Sequence, residues 1–285
     1  MEVVQNVDRI RDQVQQLRMK GMRVGLVPTM GALHAGHLSL IEVSRRECAA
    51  TVATIFVNPA QFGPHEDFGL YPRTLDQDLS ELRQAGTDLV FVPQSEEIYP
   101  PGFSTFVEPP SVALPWEGNC RPGHFRGVAT VVLKLFQIVP AHAGFFGQKD
   151  FQQALVIRRM VADLNLPIEI RVCPIVREAD GLALSSRNRY LSAEDRRRAV
   201  GISRGLRAAR RRFLAGETRA DELRDAVLAE LRESGITQSD YVAIADAETL
   251  AEVTLATAAT VILVAARVGN TRLIDNLILG DATDA

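Results

Sequence analysis

Two histidines three residues apart, His34 and His37, follow a glycine-bearing turn and open an apolar segment. On a helix that spacing puts both imidazoles on one side of the first turn. Free backbone N–H groups and the positive end of the helix dipole gather there too, so the pair suits hydrogen bonding to charge developing on phosphorus. Spacing alone equally fits a solvated or internally satisfied pair, and a metal site would need a third ligand that the neighbouring sequence does not supply. Lys149, within Gly147-Gln148-Lys149-Asp150, is one of three lysines among 32 basic residues. A lysine kept against so strong a preference for arginine points to a compact, mobile ammonium, which suits phosphate oxygens better than a planar fork. A turn pair with Asp150 is the competing reading. Leu184-Ser185-Ser186-Arg187 offers two hydroxyls and a cation, a set that fits a leaving polyphosphate, although the composition is also ordinary for an exposed loop.

The surrounding pattern supplies elements to carry these residues. Residues 23–28 read as an apolar strand, 29–32 as a turn and 37–48 as a helix; 51–57 is a β-branched run that Asn58-Pro59 ends. Further helices are expected at 76–84, 128–139 and 151–164, and strands at 88–92 and 143–146. This βαβαβ rhythm predicts an α/β protein with a Rossmann-like, doubly wound parallel sheet, whose ligands bind at the carboxyl ends of strands. His34, His37 and the Gly147–Asp150 stretch all fall at such ends. Residues 59–75 and 93–127 read as long loops. Beyond 176, a capped helix from Ser192 to about 215, a second at 218–234 and strands at 241–245, 261–268 and 273–278 predict a smaller C-terminal α+β domain. The expected division is 1–175 and 176–285.

Composition narrows the partners. The 285 residues are 46% hydrophobic and 24% charged with a net charge of −3, which fits a globular enzyme and gives no field that attracts nucleic acid. The eight arginines between Arg196 and Arg212 read as a solvated helix face. Cys48, Cys120 and Cys173 form no CxxC pair, which disfavours disulfides and zinc. The longest nearly uncharged apolar stretch, 255–266, falls short of the roughly 18 residues a membrane span needs. The charged N-terminal segment lacks the pattern of an export signal, so a cytoplasmic location without membrane contact is expected.

The three motifs together resemble the HIGH and KMSKS signatures of the class I synthetase and nucleotidyltransferase superfamily. Longer strings, Val27–His37, Phe56–Phe62, Tyr71-Pro72-Arg73-Thr74, Phe145–Asp150 with Gln152-Gln153, and Arg177–Gly181 running into Ser185–Leu191, resemble the pantoate–β-alanine ligase family over about residues 20–195. That resemblance implies an ATP-dependent ligase that forms pantoyl adenylate and pyrophosphate, then lets β-alanine displace AMP to give pantothenate. It implies catalytic roles for His37, His34, Lys149, Ser185, Ser186 and Arg187. ATP would lie along Met30, Gly31, Ala32, Leu33, His34, Ala35, Gly36 and His37, along Gly147, Gln148, Lys149 and Asp150, and near Val176, Leu184 and Ser185–Arg187. Pantoate would meet the amides of Gln61 and Gln153, Asn58, and an apolar wall of Met30 and Phe62. Arg121 and His124 are candidates for the second step, for which no dedicated base is evident. Mg2+ is expected with ATP, with Asp78 and Glu81 as candidate carboxylates, and a homodimer is implied.

Three positions depart from the family's usual pattern: Gln148 and Phe151 stand where Glu and Tyr are frequent, and Gln77 where an acidic residue is frequent. The competing readings are a truncated tRNA-synthetase-like adenylating protein, for which no anticodon-binding module is evident, and a nucleotide sensor without turnover.

Overall fold

Val24–Thr29 and Ala50–Ile55 are uncharged runs in which nearly every side chain is buried. Strands of that kind belong in the middle of a parallel sheet covered on both faces. The computed structural model describes residues 1–64 and 66–281. In chain order the elements are β1 (Glu2–Val4), α1 (Val7–Met19), β2 (Val24–Thr29), α2 (Ala35–Glu47), β3 (Ala50–Ile55), α3 (Leu75–Gln84), β4 (Leu89–Phe91), α4 (Ser95–Ile98), α5 (Glu117–Cys120), α6 (His124–Ile138), β5 (Ala143–Gly147) and α7 (Phe151–Asp163). They continue with β6 (Glu169–Cys173), α8 (Ala193–Leu214), α9 (Ala220–Glu233), β7 (Gln238–Asp246), β8 (Thr260–Val268) and β9 (Thr271–Ile278). Residues 1–113, 121–147 and 153–173 form one unit; residues 114–120, 148–152 and 174–285 form another.

The first unit holds a six-stranded sheet in the order β1-β4-β3-β2-β5-β6, with every pairing parallel. From β2 the chain moves to β3 on one side and later returns to β5 on the other. That reversal opens a crevice beyond the carboxyl ends of β2 and β5, where open α/β sheets bind ligands. Leu26, Val27, Phe145 and Val90 are fully buried in the sheet, and Ile41 of α2 packs on it. The doubly wound α/β expectation therefore holds. Five elements lie outside the sequence reading, among them α4 and α5, four-residue turns within the expected loop 93–127. α1 buries only Ile10 and Val14, a stripe too narrow for periodicity to reveal, while β1 and β6 are short edge strands, with Val3 exposed in the first and Glu169, Arg171 and Val172 in the second. α6 also begins at His124, four residues ahead of the expected 128.

In the second unit α8 and α9 pack together over an antiparallel sheet, β7-β8-β9. Ser192 caps α8, with Glu194 and Asp195 in its first turn and Arg211 and Arg212 in its last, each sign matching the helix dipole. Segments 114–120 and 148–152 join this unit through buried polar bonds. Arg272 of β9 donates to both Glu117 oxygens at 2.8 and 2.7 Å, and the Tyr241 hydroxyl donates to Glu117 at 3.0 Å. The Gln152 amide donates to Pro115 O at 2.7 Å and accepts from Glu117 N at 3.1 Å. Among the described residues no helix is long and apolar enough to cross a membrane.

Gly25 marks how closely α2 lies on β2: a Cβ there would stand 2.2 Å from Ser44 Oγ and 2.9 Å from Phe145 Cε2. Gly25→Ala is expected to destabilise the protein by about 1–3 kcal/mol through overpacking, read as a lower urea midpoint at unchanged m-value. An unchanged midpoint would contradict the close approach.

Candidate active site

β2 ends in a turn that the chain must hold against its own sterics. Thr29 Oγ1 donates to Thr54 O at 2.6 Å and accepts from Gly31 N at 3.2 Å. Gly31 and Ala32 then take φ of 78° and 51°. The left-handed region costs glycine little but a residue with a Cβ of order 1 kcal/mol or more. Asp78 of α3, 1% exposed, accepts from Ala32 N at 3.0 Å and Leu33 N at 2.9 Å, and from Thr74 Oγ1 at 3.1 Å. A Cβ on Gly31 would stand 2.9 Å from Asp78 Oδ2.

The turn delivers His34 as the N-cap of α2, with extended backbone and its Nδ1 accepting from Gly36 N at 3.2 Å. A neutral imidazole that accepts at Nδ1 carries its proton on Nε2. The first turn is closed on itself: Gly36 N is taken by this ring and His37 N donates to His34 O at 2.8 Å. The His37 ring lies over that of His34, centroids 4.1 Å apart and planes inclined by 34°. Both rings are partly exposed.

The two carboxylates expected to hold magnesium already have partners within the protein. Both Asp78 oxygens are turned to the protein's own donors, and Glu81 Oε1 accepts from Gln77 Nε2 at 2.8 Å. No group of three His, Cys, Asp or Glu able to hold a metal ion occurs among the described residues. Asp78 acts as a clamp on the histidine turn.

Beside β3 the structure gathers the amide residues. Gln61, 9% exposed, donates through Nε2 to Met30 Sδ at 3.1 Å. Asn58, 1% exposed, donates to Gln61 Oε1 at 3.0 Å and to Gly127 O at 3.3 Å, and its Oδ1 accepts from Ala60 N at 3.3 Å and Tyr99 OH at 2.7 Å. Two donor and two acceptor positions are the full capacity of an amide. Asn58, expected to bind substrate, has its amide filled by these four bonds, one of which holds Gln61 Oε1. Burial pushes the Tyr99 hydroxyl pKa up, which keeps it a donor. Tyr99 carried no signal in the sequence. Phe62 packs against Phe68 and Tyr71, centroids 5.3 and 5.9 Å away, and Gln153 is half-buried on the first turn of α7.

The segment carrying Gln61 is pinned to the start of α6. His124 Nδ1 lies 2.9 Å from Gln61 O, and its Nε2 lies 3.2 Å from Arg121 Nη1. A carbonyl on one side and a guanidinium on the other fix the Nδ1–H tautomer. Both ring nitrogens are thus engaged in holding structure. Arg121 also donates to both Glu66 oxygens at 2.8 and 2.5 Å. Burial works against the Glu66 carboxylate, but the Arg121 guanidinium outweighs it and holds the pKa below the ordinary 4.5.

In the second unit Lys149 and Asp150 follow the end of β5 in a 3-10 turn, Gln148–Asp150, with Nζ 3.5 Å from Asp150 Oδ1. Residues 176–184 form a hairpin, with Leu184 N donating to Val176 O at 3.0 Å. Ser185 caps the turn Ser186–Tyr190, accepting from Arg187 N at 3.3 Å.

The parallel sheet with its reversal at β2 and the histidine-capped helix beyond it define an open, doubly wound α/β architecture, and the chain also carries a small α+β unit. The comparisons refine that class. The model of the pantoate-beta-alanine ligase family matches residues 2–278. A pantothenate synthetase from Roseiflexus sp. (strain RS-1) is 56% identical over 90% of this chain and 92% of its own. A crystal structure of pantothenate synthetase from Thermus thermophilus superposes with a TM-score of 0.94 at 46% identity, covering 99% of this chain and 100% of that one. The pantoate-beta-alanine ligase from Francisella tularensis, complexed with beta-gamma ATP and beta-alanine, gives 0.80 at 34% identity over 99% of both chains. The chain belongs to the pantoate–β-alanine ligase family, and it is a ligase that joins pantoate to β-alanine to form pantothenate.

Two outcomes test this geometry. Asp78→Asn replaces a charged acceptor facing two backbone N–H groups and should cost about 1.5–3 kcal/mol in urea unfolding, with ligase activity falling and not returning at raised Mg2+; rescue by Mg2+ would restore the metal reading. For Glu66, a depressed carboxyl pKa adds stability above its unfolded value and loses it as pH falls through the folded one. The advantage over Glu66→Gln, about 1 kcal/mol at neutral pH, should therefore shrink below about pH 4.5. A difference independent of pH would contradict the ion pair.

Proposed function

We propose that the ligase works in two steps through an acyl adenylate made from ATP. A pantoate carboxylate oxygen attacks the α-phosphorus, the Pα–O–Pβ bond breaks and pyrophosphate leaves. The β-alanine nitrogen then attacks the acyl carbon, the C–O bond to AMP breaks, and the amine proton passes to water. The first step brings an anion against a polyanion, so charge neutralisation and alignment are the main demands on the protein. The observation that carries this reading is the stacked His34–His37 pair at the N-terminus of α2, beyond the strand-order reversal.

In this reading ATP lies along Met30–His37, with the His34 and His37 rings at the N-terminus of α2 toward the α- and β-phosphates. Lys149 follows charge onto the bridging oxygen, and Ser185, Ser186 and Arg187 hold the departing pyrophosphate. Gly147 and Gln148 allow the ribose to approach the backbone, Asp150 accepts from its hydroxyls, and Val176 and Leu184 flank adenine. Gln61 and Gln153 bind pantoate's oxygens while Met30 and Phe62 meet its geminal methyl groups. Magnesium enters as the counter-ion of the triphosphate. The Francisella relative's complex with an ATP ligand and β-alanine supports the choice of nucleotide and amine. A cytoplasmic homodimer is part of the same proposal.

ATP–pyrophosphate exchange tests it. Exchange should appear with pantoate alone, without β-alanine. Stimulation by an amino acid instead would favour a tRNA-synthetase-like protein, and none with any acid a nucleotide sensor. His37→Ala should lower the exchange rate about 10²–10³-fold, and Lys149→Arg at least about tenfold despite equal charge; near-normal rates would remove either residue from the chemistry.

A further inference from the structure

β9 is apolar at Leu273, Ile274, Leu277 and Ile278, yet Asp275 and Asn276 between them are only 3% and 1% exposed. Burying a carboxylate and an amide side by side is costly unless their polar atoms are matched. Here the matches are two particular segments of the same unit. Asn276 Nδ2 donates to Gln148 O and to Lys149 O, both at 2.9 Å, and Gln148 Nε2 reaches Asn276 Oδ1 at 3.4 Å. Those two carbonyls belong to the peptide planes on either side of the Lys149 Cα. Holding both planes fixes the lysine's φ and ψ and leaves only its side-chain torsions free.

Asp275 serves the other segment. Arg177 donates to its two oxygens at 2.7 and 3.2 Å and to Gly181 O at 3.3 Å. Arg177 also lies in the hairpin whose rungs are Glu178 N to Leu182 O, 2.8 Å, and Leu184 N to Val176 O, 3.0 Å. That hairpin runs directly into Ser185. Burial raises the Asp275 carboxyl pKa, against which the nearby charges of Arg177 and Lys149 act. Successive strand side chains leave on opposite faces, so one strand can hold two segments that are 25 or more residues apart in the chain.

We propose that Asp275 and Asn276 are positioning residues for the ligase reaction: Asn276 sets where the Lys149 ammonium stands, and Asp275, through Arg177, sets where Ser185, Ser186 and Arg187 stand. The inference rests on the phosphate role given to Lys149 and to Ser185–Arg187 above. A pair that only stabilised the small sheet would affect folding without acting through these residues.

A double-mutant cycle separates the two roles. Pantoate-dependent ATP–pyrophosphate exchange is measured for Lys149→Ala, Asn276→Ala and the double variant, with thermal midpoints recorded for each. Lys149→Ala should lose about 10²–10³-fold and Asn276→Ala about 10–100-fold, mostly in kcat. The double variant should fall no more than about threefold below Lys149→Ala, because the second change acts through a group already gone. If Asn276→Ala does not remain folded, Asn276→Asp keeps the volume while removing the two donated bonds, and the same cycle applies. Asp275→Asn should give the same non-additive pattern against Arg187→Ala. Losses that multiply would overturn the positioning role while leaving Lys149 in the chemistry; full exchange by Lys149→Ala would overturn both.

Discussion

A buried carboxylate facing two backbone N–H groups underlies the rest of the first unit. Without Asp78, the chain leaving β2 would have to sustain consecutive left-handed residues, one with a Cβ, on local energetics alone. With it, the strain at Ala32 is offset by charge-assisted hydrogen bonds in a region closed to water. The turn can then end on His34, whose side chain caps α2 in place of the more usual Ser, Asp or Asn. A histidine cap is a weaker helix start than those residues offer.

Much of this is legible in residue order. β2, β3 and β5 are buried on both faces, so they appear as unbroken apolar runs, and the switch point follows from their rhythm. His34 and His37 are visible by their spacing and Lys149 by the scarcity of lysine, whereas Ser185–Arg187, ordinary in composition, stands out only beside those motifs. Asp78 and Asn58 are visible too, but their jobs are not. Sequence shows that a carboxylate or amide is present; only coordinates show that its hydrogen-bonding capacity is already filled by the protein. Tyr99 gives no signal because its partner lies 41 residues away. Asp275 and Asn276 do carry one, a polar pair inside an apolar strand, yet nothing local says what they hold.

Seen together, polar groups at a distance from the chemistry do most of the placing. Tyr99 and Asn58 aim an amide, Arg121 and His124 hold the segment that bears it, and β9 ties two later segments into the small unit. All but the Asn58–Gln61 bond join positions at least 41 residues apart in the chain, which suits the proposed reaction, where alignment and charge neutralisation are the main demands. Mobile side chains such as Lys149 are useful there only if their backbones are fixed.

The central claim is that the acid attacks phosphorus and leaves an oxygen behind on AMP. Turnover of pantoate labelled with 18O in its carboxylate, followed by mass spectrometry of the products, tests it directly. One labelled oxygen should appear in AMP and none in pyrophosphate. Label released to water, or found in pyrophosphate, would contradict the account.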